Sequence, residues 1–141
     1  MDVNLSTAIR VFIDEYFQAW TGGNTEKILS YYSDDVVINL LGGPALLEGK
    51  QAVSDNFVVP FNKGFPGNVH MIQTYLQQGN QVVIEWMFTA IHKGEFGGIP
   101  ATGRQIKLPG CSVYTVENGQ ITRGHLYFNG PTLLEQMGIT H

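Results

Sequence analysis

The stretch from Glu85 to Arg104, EWMFTAIHKGEFGGIPATGR, limits the available folds more than any other part of the chain. Trp86, Phe88, Ala90 and His92 alternate with Glu85, Met87, Thr89 and Ile91. In extended backbone one face therefore carries a bulky apolar row and the other a mixed one, as in a strand with two different neighbours. Gly94, Gly97, Gly98, Pro100 and Gly103 then interrupt any regular element, and the chain reverses through a hairpin. His92 falls where the strand leaves the sheet, a place where polar side chains meet ligands; the alternative is a histidine that only bonds the turn backbone.

Similar runs flank this one. Val69 to Gln77, Gln81 to His92, Gln105 to Val116 and Gln120 to Phe128 are separated by Gly79-Asn80, the glycine-rich crossing and Asn118-Gly119. Asn-Gly between alternating runs is a strong hairpin signal, so the second half predicts a meander of four long antiparallel strands. The first half reads differently. Ile9, Phe12, Ile13, Tyr16, Phe17 and Trp20 recur every three or four residues and predict an amphipathic helix, capped by Ser6 or Thr7 and ended by Gly22-Gly23. Asn24 or Thr25 opens a shorter helix over Lys27 to Tyr32, and Ser33-Asp34-Asp35 reads as a turn. A strand over Val36 to Leu41 follows, then a Gly42-Gly43-Pro44 break and a third helix from about Lys50 to Phe61, its final turn weakened by Pro60. Pro131 to Met137 forms a closing helix with Gly138 after it.

Helices first and a curved antiparallel sheet afterwards make an α+β domain whose sheet rolls over the helices to bury its apolar face. The sheet becomes a cone with an apolar pocket at its open end. At 141 residues the chain has single-domain length, with no repeat or linker, so residues 1–141 are expected to form one domain. Hydrophobic residues at 43% against charged ones at 14% leave a surface poor in charge, which favours a subunit interface or a roomy apolar interior. A net charge of −4 with no Lys/Arg cluster argues against nucleic acid. The lone Cys111 rules out an internal disulfide and points to an intracellular, cytoplasmic setting, and no clustered ligands suggest a metal. Arg10, Asp14 and Glu15 interrupt the apolar start, so neither a signal peptide nor a membrane span is expected there.

The order of elements, together with HKGEFGGIPATGR and the tail HLYFNGPTLLEQMG, resembles the SnoaL-like polyketide cyclases of the ketosteroid isomerase and nuclear transport factor 2-like superfamily, from Ile9 to the closing LLEQMG. The resemblance implies a cone-shaped α+β barrel, a homodimer formed through the outer face of the sheet, a hydrophobic cavity, and neither metal nor organic cofactor. It also implies proton transfer next to a carbonyl, in which a carboxylate removes a proton while phenol or acid groups hold the enolate oxygen. Alignment to the isomerase places Tyr16 on the oxyanion-hole tyrosine, Leu40 on the general-base aspartate and Ser112 on the protonated aspartate. The cyclases carry an acid/base aspartate at the end of the last strand, where this chain has Asn129, and an amide cannot exchange a proton near neutral pH.

Among the remaining groups, His125 shares a face with Tyr127 and Asn129 and carries an imidazole, a side chain suited to general-base work near neutral pH, which makes it the candidate base beside Tyr16 as donor and Asn129 as positioner. The opposite reading turns that row outwards and leaves Leu126 and Phe128 lining the interior, and alternation alone does not choose. Tyr16 is alternatively a core aromatic, although Trp20 one turn later offers a flat wall for a ring-shaped ligand. Trp86, Phe88 and His92 share a strand face and are expected to line the same cavity. Two functions follow: a cofactor-independent cyclase or isomerase acting on a hydrophobic carbonyl compound, or a non-catalytic module that binds a small apolar or aromatic ligand.

Overall fold

The computed structural model describes residues 2–41 and 44–139; at residues 2–4, 44 and 45 only the backbone is described. Gly42, Gly43 and His141 lie outside the described residues. Helix α1 (Asp2–Gly22) begins earlier than its expected cap and, of the residues its periodicity picks out, buries Ile9, Ile13, Tyr16, Phe17 and Trp20 and half-buries Phe12. Helix α2 (Thr25–Leu29) is capped by Asn24, whose side chain accepts from the Lys27 amide at 3.0 Å. Strands β1 (Tyr32–Leu41) and β2 (Pro44–Glu48) form a short hairpin. Strands β3 (Val69–Gln78), β4 (Gln81–Ile91), β5 (Gln105–Glu117) and β6 (Gln120–Phe128) form the expected antiparallel meander. Helix α5 (Gly130–Gln136) closes the described chain.

The six strands make one curved sheet in the order β2-β1-β6-β5-β4-β3, with β1 parallel to β6 and every other pair antiparallel. Its inner face buries Val82, Ile84, Trp86 and Phe88 from β4, Ile106, Leu108, Ser112 and Tyr114 from β5, and Leu126 from β6, all within one core cluster with the buried face of α1. At the tip of the β5–β6 hairpin Asn118 and Gly119 hold φ of 52° and 71°, the left-handed pair that a two-residue turn with the right twist requires.

Three expectations need correction. Ser33-Asp34-Asp35 is not a turn between elements but lies within β1, where a register shift between Tyr32 and Val37 absorbs the extra residues and Ser33 is buried. Residues 44–48 are not a simple run into a helix. They pair with β1, Leu40 opposite Ala45 and Val37 opposite Glu48, and so cover an edge that would otherwise be open. The third helix continues past Phe61 as α3 (Lys50–Val53), a widened π segment (Ser54–Val58) and α4 (Val59–Gly64). Pro60 has no amide to offer and its ring crowds the preceding turn, and the wider π turn before it relieves that conflict without ending the helix.

Candidate functional site

The open end of the cone is an apolar vestibule of about 400 Å³. Leu40 from β1, Pro60 and Phe61 from α4, Phe96 from the glycine-rich reversal, Phe128 from β6 and Leu133 and Leu134 from α5 form most of its wall, with Asn56 the one polar side chain among the described residues. Phe96 is held there by a miniature hairpin in which the Phe96 and Ile99 amides each donate to the other's carbonyl, at 3.0 and 2.9 Å. Its ring packs on Phe61 and Phe65, both at 4.9 Å.

Behind the vestibule lie two smaller spaces, of about 30 and 10 Å³. Trp20, Phe57, His70, Trp86 and Leu126 line both, and Phe61 and Phe128 separate the larger one from the vestibule. Among the described residues no Asp, Glu, Lys or Arg side chain lines the vestibule or these inner voids. The deepest wall is polar but uncharged. Trp86 Nε1 donates to Ser112 Oγ at 2.8 Å, and the Tyr16 hydroxyl bonds those of Tyr32 and, at 3.2 Å, Tyr114. Burial pushes all three phenols well above the ordinary value near 10, so each remains a proton donor at neutral pH. Three hydroxyl protons serve two bonds within the trio, which leaves one proton for an outside acceptor.

Of the residues singled out in the sequence, Leu40 lines the vestibule, Trp20, Trp86 and Phe88 line the inner voids, and Tyr16 and Ser112 line the deepest one. The row His125, Tyr127, Asn129 is not brought to them. Register decides the question that alternation left open: Leu126 sits opposite the buried Ser112, and His125 opposite Val113, which puts His125 and the 47% exposed Tyr127 on the outer face. Asn129 is exposed and caps α5, its side-chain oxygen accepting from the Thr132 amide at 3.0 Å. Asn129→Ala is therefore expected to cost about 1 kcal/mol of stability, measured by urea denaturation, with Asn129→Asp retaining the cap.

His92 is fully buried but borders neither the vestibule nor the inner voids. Its Nδ1 accepts from the Thr102 amide at 3.3 Å and lies 2.9 Å from the Thr102 hydroxyl, and its ring packs on Phe65 at 5.5 Å. It secures the reversal, together with the pairing of the His92 and Gly103 backbone amides with the Arg104 and His92 carbonyls.

The residue that sequence reasoning passed over is His70. Its ring lies among Phe17, Trp20, Trp86 and Phe88, at centroid distances of 5.9, 5.3, 5.5 and 5.0 Å, and borders both inner voids. The same ring borders an outer groove between α1 and β3, where Arg10 and Asp14 pair at 3.1 Å. Desolvation pushes its pKa down to about 3, so the imidazole is neutral at physiological pH. Its Nδ1 is buried without a hydrogen-bond partner.

Comparison with known proteins places this geometry. A candidate SnoaL-like polyketide cyclase from Jannaschia sp. CCS1 superposes with a TM-score of 0.83 at 16% identity, over 96% of this chain and 94% of its own. A candidate polyketide cyclase from Xanthomonas campestris pv. campestris is 25% identical over 93% of this chain and 97% of its own, with a TM-score of 0.79. TerC, co-crystallised with polyporic acid, is 16% identical over 94% of this chain and 99% of its own, with a TM-score of 0.74. No curated protein matches the sequence. The model of the SnoaL-like domain matches residues 13–124, from the first helix to the last strand, and the chain belongs to that family.

Proposed function

We propose that residues 1–141 form one SnoaL-like domain that acts in the cytoplasm as a cofactor-independent enzyme of the cyclase or isomerase type, on a hydrophobic carbonyl compound held in the chamber. The observation that carries this reading is the uncharged apolar vestibule of about 400 Å³ backed by neutral hydrogen-bonding groups. A carbonyl oxygen accepting the spare proton of the Tyr16–Tyr32–Tyr114 trio is polarised, and the neighbouring C–H becomes more acidic. That TerC was crystallised with a small organic molecule, polyporic acid, supports a ligand of this kind.

The binding-only reading is favoured by one observation, the lack of a carboxylate among the described residues that line the chamber. Solvent deuterium exchange into a panel of enolisable ketones separates the two. Exchange that Tyr16→Phe lowers by about 10²-fold, in the range of a lost oxyanion donor, supports the enzyme. No exchange with any ketone, together with ligand-dependent thermal stabilisation, hands the site to the binding reading. His125→Ala, on the outer face, is expected to leave exchange and affinity unchanged.

The same outer face presents Met71 and Tyr127, 62% and 47% exposed, beside Val83, Met87, Pro109 and Val113. It is the surface through which the chain is proposed to form a homodimer, and a monomeric mass in dilute neutral solution overturns that assignment.

A further inference from the structure

A buried polar atom left without a partner is destabilising, and each such atom in a folded protein calls for an explanation. At the inner end of the chamber most hydrogen-bonding groups are accounted for: Trp86 with Ser112, Tyr16 with Tyr32 and Tyr114. His70 Nδ1 is the exception. The void beside it, about 30 Å³, is large enough for one water molecule, but its other walls are aromatic and aliphatic apart from two indole N–H groups, that of Trp86 committed to Ser112 and that of Trp20 engaged with the Tyr16 and Tyr32 hydroxyls. A water there finds one partner where buried waters usually have about three. Such a lining suits the polar tip of a mostly apolar molecule better than it suits water.

That tip has a route. Phe61 and Phe128 line both the vestibule and the void, with ring centroids 6.5 Å apart and planes at 86°, so these two rings stand between the two spaces. Phe61 directly follows Pro60 and the π segment, where the helix has one backbone hydrogen bond fewer to hold the wall in place.

Resting on the small-molecule reading above, we propose that His70 Nδ1 accepts a hydrogen bond from a phenolic or enolic hydroxyl at the leading end of a neutral, flat ligand that enters between Phe61 and Phe128. Nε2 then carries the ring proton on the side of the α1–β3 groove. The neutral ring remains an acceptor throughout the physiological range. A carboxylate at the same place brings an unpaired charge into an aromatic box and is excluded.

The test compares 2-naphthol with its methyl ether, 2-methoxynaphthalene, by fluorescence titration of the wild type and of His70→Phe. The wild type is expected to prefer the naphthol by about tenfold, the worth of one neutral hydrogen bond, and His70→Phe to bind the two alike. Because the variant can repack, the wild type is also followed by ¹⁵N NMR: the His70 Nδ1 signal moves on adding 2-naphthol and stays put with the ether. Equal affinities in the wild type, a preference that survives in His70→Phe, or an unmoved Nδ1 signal in the naphthol complex each overturn the assignment to His70 while the chamber remains a binding site. Failure of both probes to bind the wild type removes the small-molecule reading, and this inference with it.

Discussion

Trp86→Ala is expected to lower stability by about 3–5 kcal/mol and Gly110→Ala by about 1–3 kcal/mol, yet the double variant should be no less stable than Trp86→Ala alone. The two residues face each other across β4 and β5, and the indole lies over the glycine so closely that an added Cβ would stand 2.1 Å from its Cη2 atom. The indole cannot simply swing away, because Nε1 is bonded to Ser112 and the ring is packed against His70 at 5.5 Å. A methyl group at position 110 must therefore push a pinned aromatic ring into a filled core, which is why a normally modest glycine replacement is costly here. Removing the indole empties the space into which that methyl projects, so the second substitution meets no obstacle and relieves part of the cavity left by the first. Urea denaturation of the four proteins measures the coupling, and additive losses would show that Gly110 is not there to accommodate Trp86. At roughly 2–4 °C per kcal/mol for a chain near this size, the single Trp86→Ala change should lower the melting temperature by about 10 °C.

Much of this architecture can be read from one-dimensional pattern, because the relevant signals are local. The spacing of Ile9, Ile13, Tyr16, Phe17 and Trp20 names the buried face of α1, and Asn118-Gly119 fixes the β5–β6 turn. The alternation that ends in Trp86 and Phe88 correctly assigns both to the interior. What pattern cannot supply is the phase of one strand against the next. His125 and Leu126 are equally good candidates for the inner face until β6 is laid beside β5 and Ser112 is found opposite Leu126.

His70 was hidden by a related effect. Counting back along β3 from the half-buried Tyr75 and Gln77 puts Gln73 and Met71 inside and His70 outside. The register shift between Ile72 and Thr74 reverses that count, so Met71 is 62% exposed and His70 turns in among the aromatic rings. The β1–β2 hairpin escaped notice for a different reason. Its second strand has only five residues, behind two glycines, and depends on pairing with β1 more than on any propensity of its own.

The inward turn of His70 gives the fold a built-in acid lability, the second large effect to be measured. In the unfolded chain the imidazole takes up a proton around pH 6.5, whereas in the folded protein desolvation delays this until about pH 3. Between those values the unfolded state binds the extra proton, so stability is full above pH 6.5 and is lost as the pH falls toward 3. At about 1.4 kcal/mol per pH unit, the difference between 6.5 and about 3 sets an upper bound of roughly 5 kcal/mol, reduced to the extent that the half-buried ring keeps an edge in the α1–β3 groove. The charged groups across the groove from α1 are Arg10 and Asp14, and the β4 neighbours Trp86 and Phe88 carry no charge. Both charges remain in His70→Leu, so comparison of the two proteins isolates the imidazole. His70→Leu keeps an apolar group of similar bulk in the aromatic box and removes the titration. It should gain on the wild type steadily as the pH is lowered, leading by up to about 3 kcal/mol at pH 4 in urea denaturation. If the two stability curves run parallel from pH 7 to pH 4, the imidazole is reached by water in the folded state and takes up its proton there as readily as in the unfolded chain.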